Sequence, residues 1–168
     1  MPTLDPPAPP SRPVPLRDRP ALWMGLSLAW AAVIFLFSTG LFSAEHSARA
    51  LGWLLAVLGV RLAPGRFEIL HFLLRKAAHL AEYAVLAVLL HGWVRAGRWR
   101  HRSAGGAFLV VVAAAAYALT DEFHQVFVPG RTASLYDCAL DTLGAGAGLA
   151  AWFLLRALLR SRKATPAV

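Results

Sequence analysis

Residues 21–44 read ALWMGLSLAWAAVIFLFSTGLFSA and contain no Asp, Glu, Lys, Arg or His. About 20 consecutive apolar residues are what a helix needs to cross a hydrocarbon core ~30 Å thick, so this stretch reads as a transmembrane helix and sets the fold class. A tail of 20 residues precedes it, with none of the short apolar core of a cleaved leader, so the span is expected to be a retained anchor. The whole chain supports the same class: of its 168 residues 58% are apolar and only 15% charged, against roughly 45–50% and 25% in soluble proteins.

Working outward, eight of the eleven prolines fall in residues 1–20. Each proline fixes φ and removes a backbone donor, so this leader is expected to be a disordered, polyproline-like cytoplasmic tail. After the first span, ALGWLLAVLGV (50–60) is apolar for only 11 residues. That is too short to span, and fits a helix lying in the interface with Trp53 as its anchor. APGR at 63–66 is expected to be a turn. Further spans are expected at about 72–94, 104–126 and 134–155, giving an all-α, polytopic membrane protein with four transmembrane helices. Its membrane domain covers residues 21–160, and a basic cytoplasmic tail occupies 161–168.

Orientation follows from Lys and Arg in the short loops, because basic segments stay cytoplasmic. Arg12, Arg17 and Arg19, then Arg95, Arg98, Arg100 and Arg102, then Arg156, Arg160, Arg162 and Lys163 all fall on one side. Both termini should therefore be cytoplasmic. Apart from Asp5 and Asp18, the acids fall in the opposite loops or in helix segments that start or end there, and Glu82 alone approaches the midplane. Any polar site should open outward. The net charge of +8 comes from residues flanking the spans, which form no aromatic-interleaved basic surface, so nucleic acid is not expected as a partner. The single Cys138 excludes an internal disulfide and a cysteine-based zinc cluster, and is read as packing.

The second span carries the chemistry. In RKAAHLAEYAVLAVLL (75–90), Arg75, Lys76, His79, Glu82 and Tyr83 share an arc of about 120° at 100° per residue, with Leu74, Ala78, Ala81 and Val85 opposite. An unpaired charge at that depth costs a few kcal/mol or more, so these groups should face the bundle interior and find partners there. TDEFHQ (120–125) sets Asp121 and Gln125 on one face, and DCALD (137–141) does the same for Asp137 and Asp141. Lys76 and Arg131 could then be neutralised by Asp121, Glu122, Asp137 and Asp141. VPGR (128–131) should be a tight turn holding Arg131 over the cluster. Gly144, Gly146 and Gly148 include a small-xxx-small pair for close helix approach.

Three readings stay open. Lys76 and Arg131 could hold an anionic headgroup, with Tyr83, Gln125 and the carboxylates orienting it. His79 with Glu82, and Asp121 with His124, are carboxylate–histidine pairs at i,i+3 that could serve as a general base or present ligands to a metal; catalytic candidates are His79, Glu82, Asp121 and Glu122. The charges could instead be an ion-pair network that fixes helix register. No metal or cofactor is assigned. His46, His71, His91 and His101 are expected at the interface, and Trp23, Trp53, Trp93, Trp99 and Trp152 in the interfacial belts.

RKAAHLAEYAVLAVLL, DEFHQVFVPGR and DCALDTLGAGAG together resemble the VanZ-like family of small bacterial membrane proteins, over about residues 22–155. The matching positions are Lys76, His79, Tyr83, Asp121, Glu122, Gln125, Pro129, Gly130, Arg131, Asp137 and Gly144. FSTG (37–40) is similar to the family's serine-rich end of its first helix, while Asp141 stands where the family usually has Asn. The resemblance implies a bacterial cytoplasmic-membrane protein connected with low-level resistance to the glycopeptide teicoplanin. The expected partners are the lipid bilayer and an anionic lipid or lipid-linked envelope precursor, with oligomers open.

Overall fold

The computed structural model describes residues 15–97, 103–129, 131 and 133–164. Five α-helices occur among them: α1 (Pro20–Ser38), α2 (Ala44–Val57), α3 (Pro64–Ala96), α4 (Ser103–Gln125) and α5 (Leu135–Ala164). Helices α1, α3, α4 and α5 are long and apolar enough to cross a membrane. The 19 residues of α1 measure about 28 Å at 1.5 Å each, close to the hydrocarbon thickness.

Pro20 opens α1, where its missing N–H is of no consequence. Of the expected leader, residues 1–14 lie outside the described residues, while Leu16–Asp18 form a 3₁₀ turn. After Ser38 the chain makes a second 3₁₀ turn, Gly40–Phe42, and enters α2 through Ser43, whose hydroxyl accepts from the His46 N–H. Helix α2 has 14 residues and buries none of them, and Trp53 is 70% exposed. It is a short surface helix, as the apolar run of 11 suggested. Gly59, at φ +70°, turns the chain back toward α3, a left-handed conformation that suits glycine.

Three expected boundaries are corrected. The apolar stretch 21–44 is helical only to Ser38, after which the 3₁₀ turn leads into α2. APGR is not a turn: Pro64 is the first residue of α3, which runs for 33 residues rather than from residue 72. Helix α5 likewise continues past 155 to Ala164. Arg98, Trp99, Arg100, His101, Arg102, Gly130 and residues 165–168 lie outside the described residues.

Cross-helix contacts fix the directions. A Cβ added at Gly144 would lie 2.5 Å from the Leu80 carbonyl oxygen, and one at Gly148 equally close to that of Ala84, so α3 and α5 run parallel. Trp30 meets Glu82 while Trp23 packs on Gly92, so α1 runs against α3. Tyr117 donates to the Ala31 carbonyl at 2.6 Å and Asp121 meets Ser38, so α4 runs with α1. The core between them is built from Ile34, Tyr83, Leu86, Ala87, Val110, Ala114, Ala118, Ala145 and Leu149. Alanine and glycine let the backbones approach closely, which substitutes for the hydrophobic drive that lipid does not supply. Large apolar side chains instead face outward, with Leu28, Phe108, Phe123, Leu143 and Leu154 all more than 60% exposed.

One histidine departs from expectation. His91 is not interfacial but 2% exposed, set edge-on to Phe153 with ring centroids 5.1 Å apart. The single glycine that follows it, Gly92, seats the Trp23 ring and draws this part of α3 into the bundle. Trp23 itself is half-buried in the first turn of α1.

Candidate functional site

The ends of α1 and α4, the start of α5 and the middle of α3 meet at one end of the bundle. Residues of α1, α2, α3 and α4 and of the connections after α1 and α4 line a cavity of about 220 Å³ there, with α5 behind His79. Phe37 and Ser38 of α1, Phe42 of the 3₁₀ turn and Ser47 of α2 form one side. Arg75, Ala78, His79 and Glu82 of α3 form the second; Asp121 and Gln125 of α4, with Arg131 of the α4–α5 connection, complete it. Trp30 Nε1 donates to the Glu82 carbonyl at 2.8 Å, and Trp30 is the eleventh of the 19 residues of α1. Glu82 therefore sits level with the middle of that span, and the polar wall reaches half-way down it.

Several wall residues are held by specific partners. The carboxylate of Asp121, 4% exposed, accepts from the Ser38 hydroxyl on one oxygen and from Gln125 Nε2 at 3.1 Å on the other. His79 Nδ1 lies 3.2 Å from Asp141 Oδ1, and Asp141 is fully buried behind it. An ionised carboxylate only accepts, so Nδ1 donates, and in the neutral imidazole Nε2 keeps the lone pair. The Val128 carbonyl accepts from the Arg131 N–H at 3.1 Å across Pro129, the expected tight turn. Arg131 Nη2 then reaches the carbonyls of Phe37 and Thr39, the latter at 3.2 Å.

That arrangement corrects one sequence expectation. Arg131 makes no ion pair with any described carboxylate; it satisfies carbonyls left open at the C-terminus of α1, where the helix dipole already favours a cation. Burial first, and then the like charge of Arg75, draw the guanidinium down from its ordinary value, while Asp121, Glu82 and Glu122 pull it up. Lys76, in contrast, does pair with Asp137, and its ammonium also lies 5.4 Å from the Phe72 ring centroid and 5.9 Å from that of Tyr136.

The nine expected binding residues thus divide in two. His79, Asp121, Gln125 and Arg131 line the cavity, joined there by the catalytic candidate Glu82. Lys76 and Asp137 latch α3 to α5 outside it. Asp141 backs His79, Glu122 accepts from the Ser134 N–H at 2.6 Å at the entrance to α5, and Tyr83 is fully buried in the core. The sequence-based list omitted Ser38, Ser47, Phe37, Phe42 and Arg75. Arg75 was visible in the polar arc and Ser38 in FSTG; the two aromatics and Ser47 carry no local signal.

The i,i+3 pairs do not form. His79 turns to Asp141 rather than Glu82, and the His124 ring packs tilted against Phe35 with centroids 4.6 Å apart. Among the described residues no three His, Cys, Asp or Glu side chains converge as a metal site would require.

A bundle that crosses the membrane four times and buries an ionisable cavity at one end defines a polytopic helical membrane protein with an internal polar site. The family model described as VanZ/LLP1 matches residues 23–156, and the chain belongs to that family. No curated protein and no solved structure matches it significantly.

Proposed function

We propose that this cavity binds the anionic headgroup of an envelope lipid or lipid-linked precursor, at the outer face of a bacterial cytoplasmic membrane with both termini cytoplasmic. The observation that carries the reading is the pair Arg75 and Arg131. Both guanidinium groups line one partly buried cavity, and neither forms an ion pair with a described carboxylate. Glu82 and Asp121 line the same cavity, but Asp121 is already engaged by Ser38 and Gln125, and guanidinium forks match phosphate geometry, so Arg75 and the remaining donors of Arg131 suit an anion. At about 220 Å³ the cavity lies below the ~300–1,000 Å³ typical of drug-sized ligands, so it suits a phosphate or diphosphate rather than a whole precursor. The connection with teicoplanin implied by the resemblance would then run through the lipid that is held.

The structural-network reading is favoured only for Lys76 and Asp137, which lie outside the cavity.

Native mass spectrometry of the protein released gently from membranes tests the proposal. Wild type should carry a phosphate-bearing lipid that Arg75→Gln loses while remaining folded. Arg131→Ala is the poorer probe, because it also opens the end of α1. Folded wild type with no bound anion in any preparation sinks the reading. Susceptibility to teicoplanin in cells expressing wild type or Arg75→Gln tests the resistance link separately.

A further inference from the structure

Resting on the cavity as a phosphate site, we infer that it also hydrolyses a lipid-linked diphosphate, with His79 as general base and Asp141 as its positioning residue. His79 lines the same cavity as Arg75 and Arg131, and it is the imidazole of the wall, with one ring nitrogen held by a buried carboxylate. Asp141 is 0% exposed and holds Nδ1 at 3.2 Å, which fixes the tautomer and leaves Nε2 for the cavity. A base backed by a buried carboxylate, beside two cations placed to stabilise phosphoryl charge, is the set of parts a metal-free displacement at phosphorus requires.

The step balances with water as the only co-reactant. Water gives a proton to Nε2 as its oxygen bonds to the terminal phosphorus. The bridging P–O bond breaks, and its electron pair stays on the bridging oxygen. Inorganic phosphate and the lipid monophosphate leave without needing a proton donor, and the imidazolium returns its proton to solvent. Arg75 and Arg131 hold the charge on the non-bridging oxygens throughout. The apolar lining contributed by Phe37 and Phe42 suits a substrate whose remainder is a lipid chain.

The test uses the full chain in detergent micelles with farnesyl diphosphate as the probe. Phosphate release is followed, and binding is measured separately with the methylene-bridged analogue. Wild type should release phosphate; His79→Gln and Asp141→Asn should lose about a hundredfold or more in kcat with analogue binding unchanged. Arg75→Gln should raise KM. Imidazole added to His79→Gly should restore part of the turnover, a recovery that a merely structural histidine would not show. Turnover of farnesyl diphosphate but not inorganic diphosphate identifies the source as lipid; the reverse overturns the lipid assignment. Analogue binding without phosphate release, or His79→Gln as fast as wild type, overturns the catalytic inference and leaves the binding site standing. Absence of both binding and release overturns the cavity reading itself.

Discussion

Arg131, in the connection between α4 and α5, donates through Nη2 to the carbonyl of Phe37 in the last turn of α1. A charged donor thereby closes a helix end that has no acidic or basic side chain of its own in that turn. The same contact ties the α4–α5 turn to the wall of the cavity. Arg131→Ala should lower stability by about 1.5–3 kcal/mol, the range for a hydrogen bond to a charged group. Thermal unfolding in detergent reads this directly. Arg131→Lys should recover only part of the loss, since both bonds come from Nη2 at the end of the guanidinium and a compact, strongly hydrated ammonium is costlier to desolvate in this half-buried place. An unchanged unfolding temperature in Arg131→Ala would show that the contact is incidental.

The three glycines of GAGAG should behave differently. A Cβ at Gly144 or Gly148 would press on the backbone of Leu80 or Ala84, which cannot move without separating α3 from α5. A Cβ at Gly146 meets nothing within 4 Å. Gly144→Ala and Gly148→Ala are expected to destabilise by about 1–3 kcal/mol, as overpacking does, whereas Gly146→Ala should be neutral or slightly stabilising through helix propensity. Equal effects at all three positions in chemical or thermal unfolding would contradict the parallel α3–α5 contact.

These contrasts show what was legible in the chain. The spans were readable because apolar length is a property of one segment, and 21–44 is uninterrupted. The start of α3 was missed because Pro64 and Gly65 read equally well as a turn and as a helix opening, and only the packing of Phe67 and His71 below α2 favours the helix. The polar arc of α3 correctly placed His79 and Glu82 toward the interior. It could not say which partner each would take, because i,i+3 spacing along one helix competes with contacts set by the rotation of its neighbours. Asp141, 62 residues away from His79, won over Glu82. His91 was misplaced for the same reason: its burial depends on Trp23 and Phe153 from two other helices.

Lys76 and Asp137 should show measurable but modest coupling. Their side chains are 23% and 16% exposed, so the pair is neither at the surface nor sealed. A double-mutant cycle with Lys76→Gln and Asp137→Asn is expected to give about 1 kcal/mol, at the upper end for partly solvated pairs. Because neither residue lines the cavity, the double variant should keep any ligand that wild type carries. Ligand loss with the fold intact would return Lys76 to the site from which its position removes it.

The buried carboxylate of Asp121 allows a test in which two changes cost less than one. Its charge is held by the Ser38 hydroxyl and by Gln125 Nε2 at 3.1 Å, at 4% exposure. Ser38→Ala removes one donor and leaves the charge under-solvated, which should cost about 1.5–3 kcal/mol. Asp121→Asn in the wild-type background removes the stronger acceptor and should also destabilise. Combined with Ser38→Ala, however, Asp121→Asn removes the charge that had lost its donor, so the double variant should be at least as stable as Ser38→Ala alone. Unfolding of all four proteins in the same detergent decides the matter. Simple additivity of the two losses would mean that Ser38 contributes through packing, and that the carboxylate draws its stabilisation from elsewhere in the cavity.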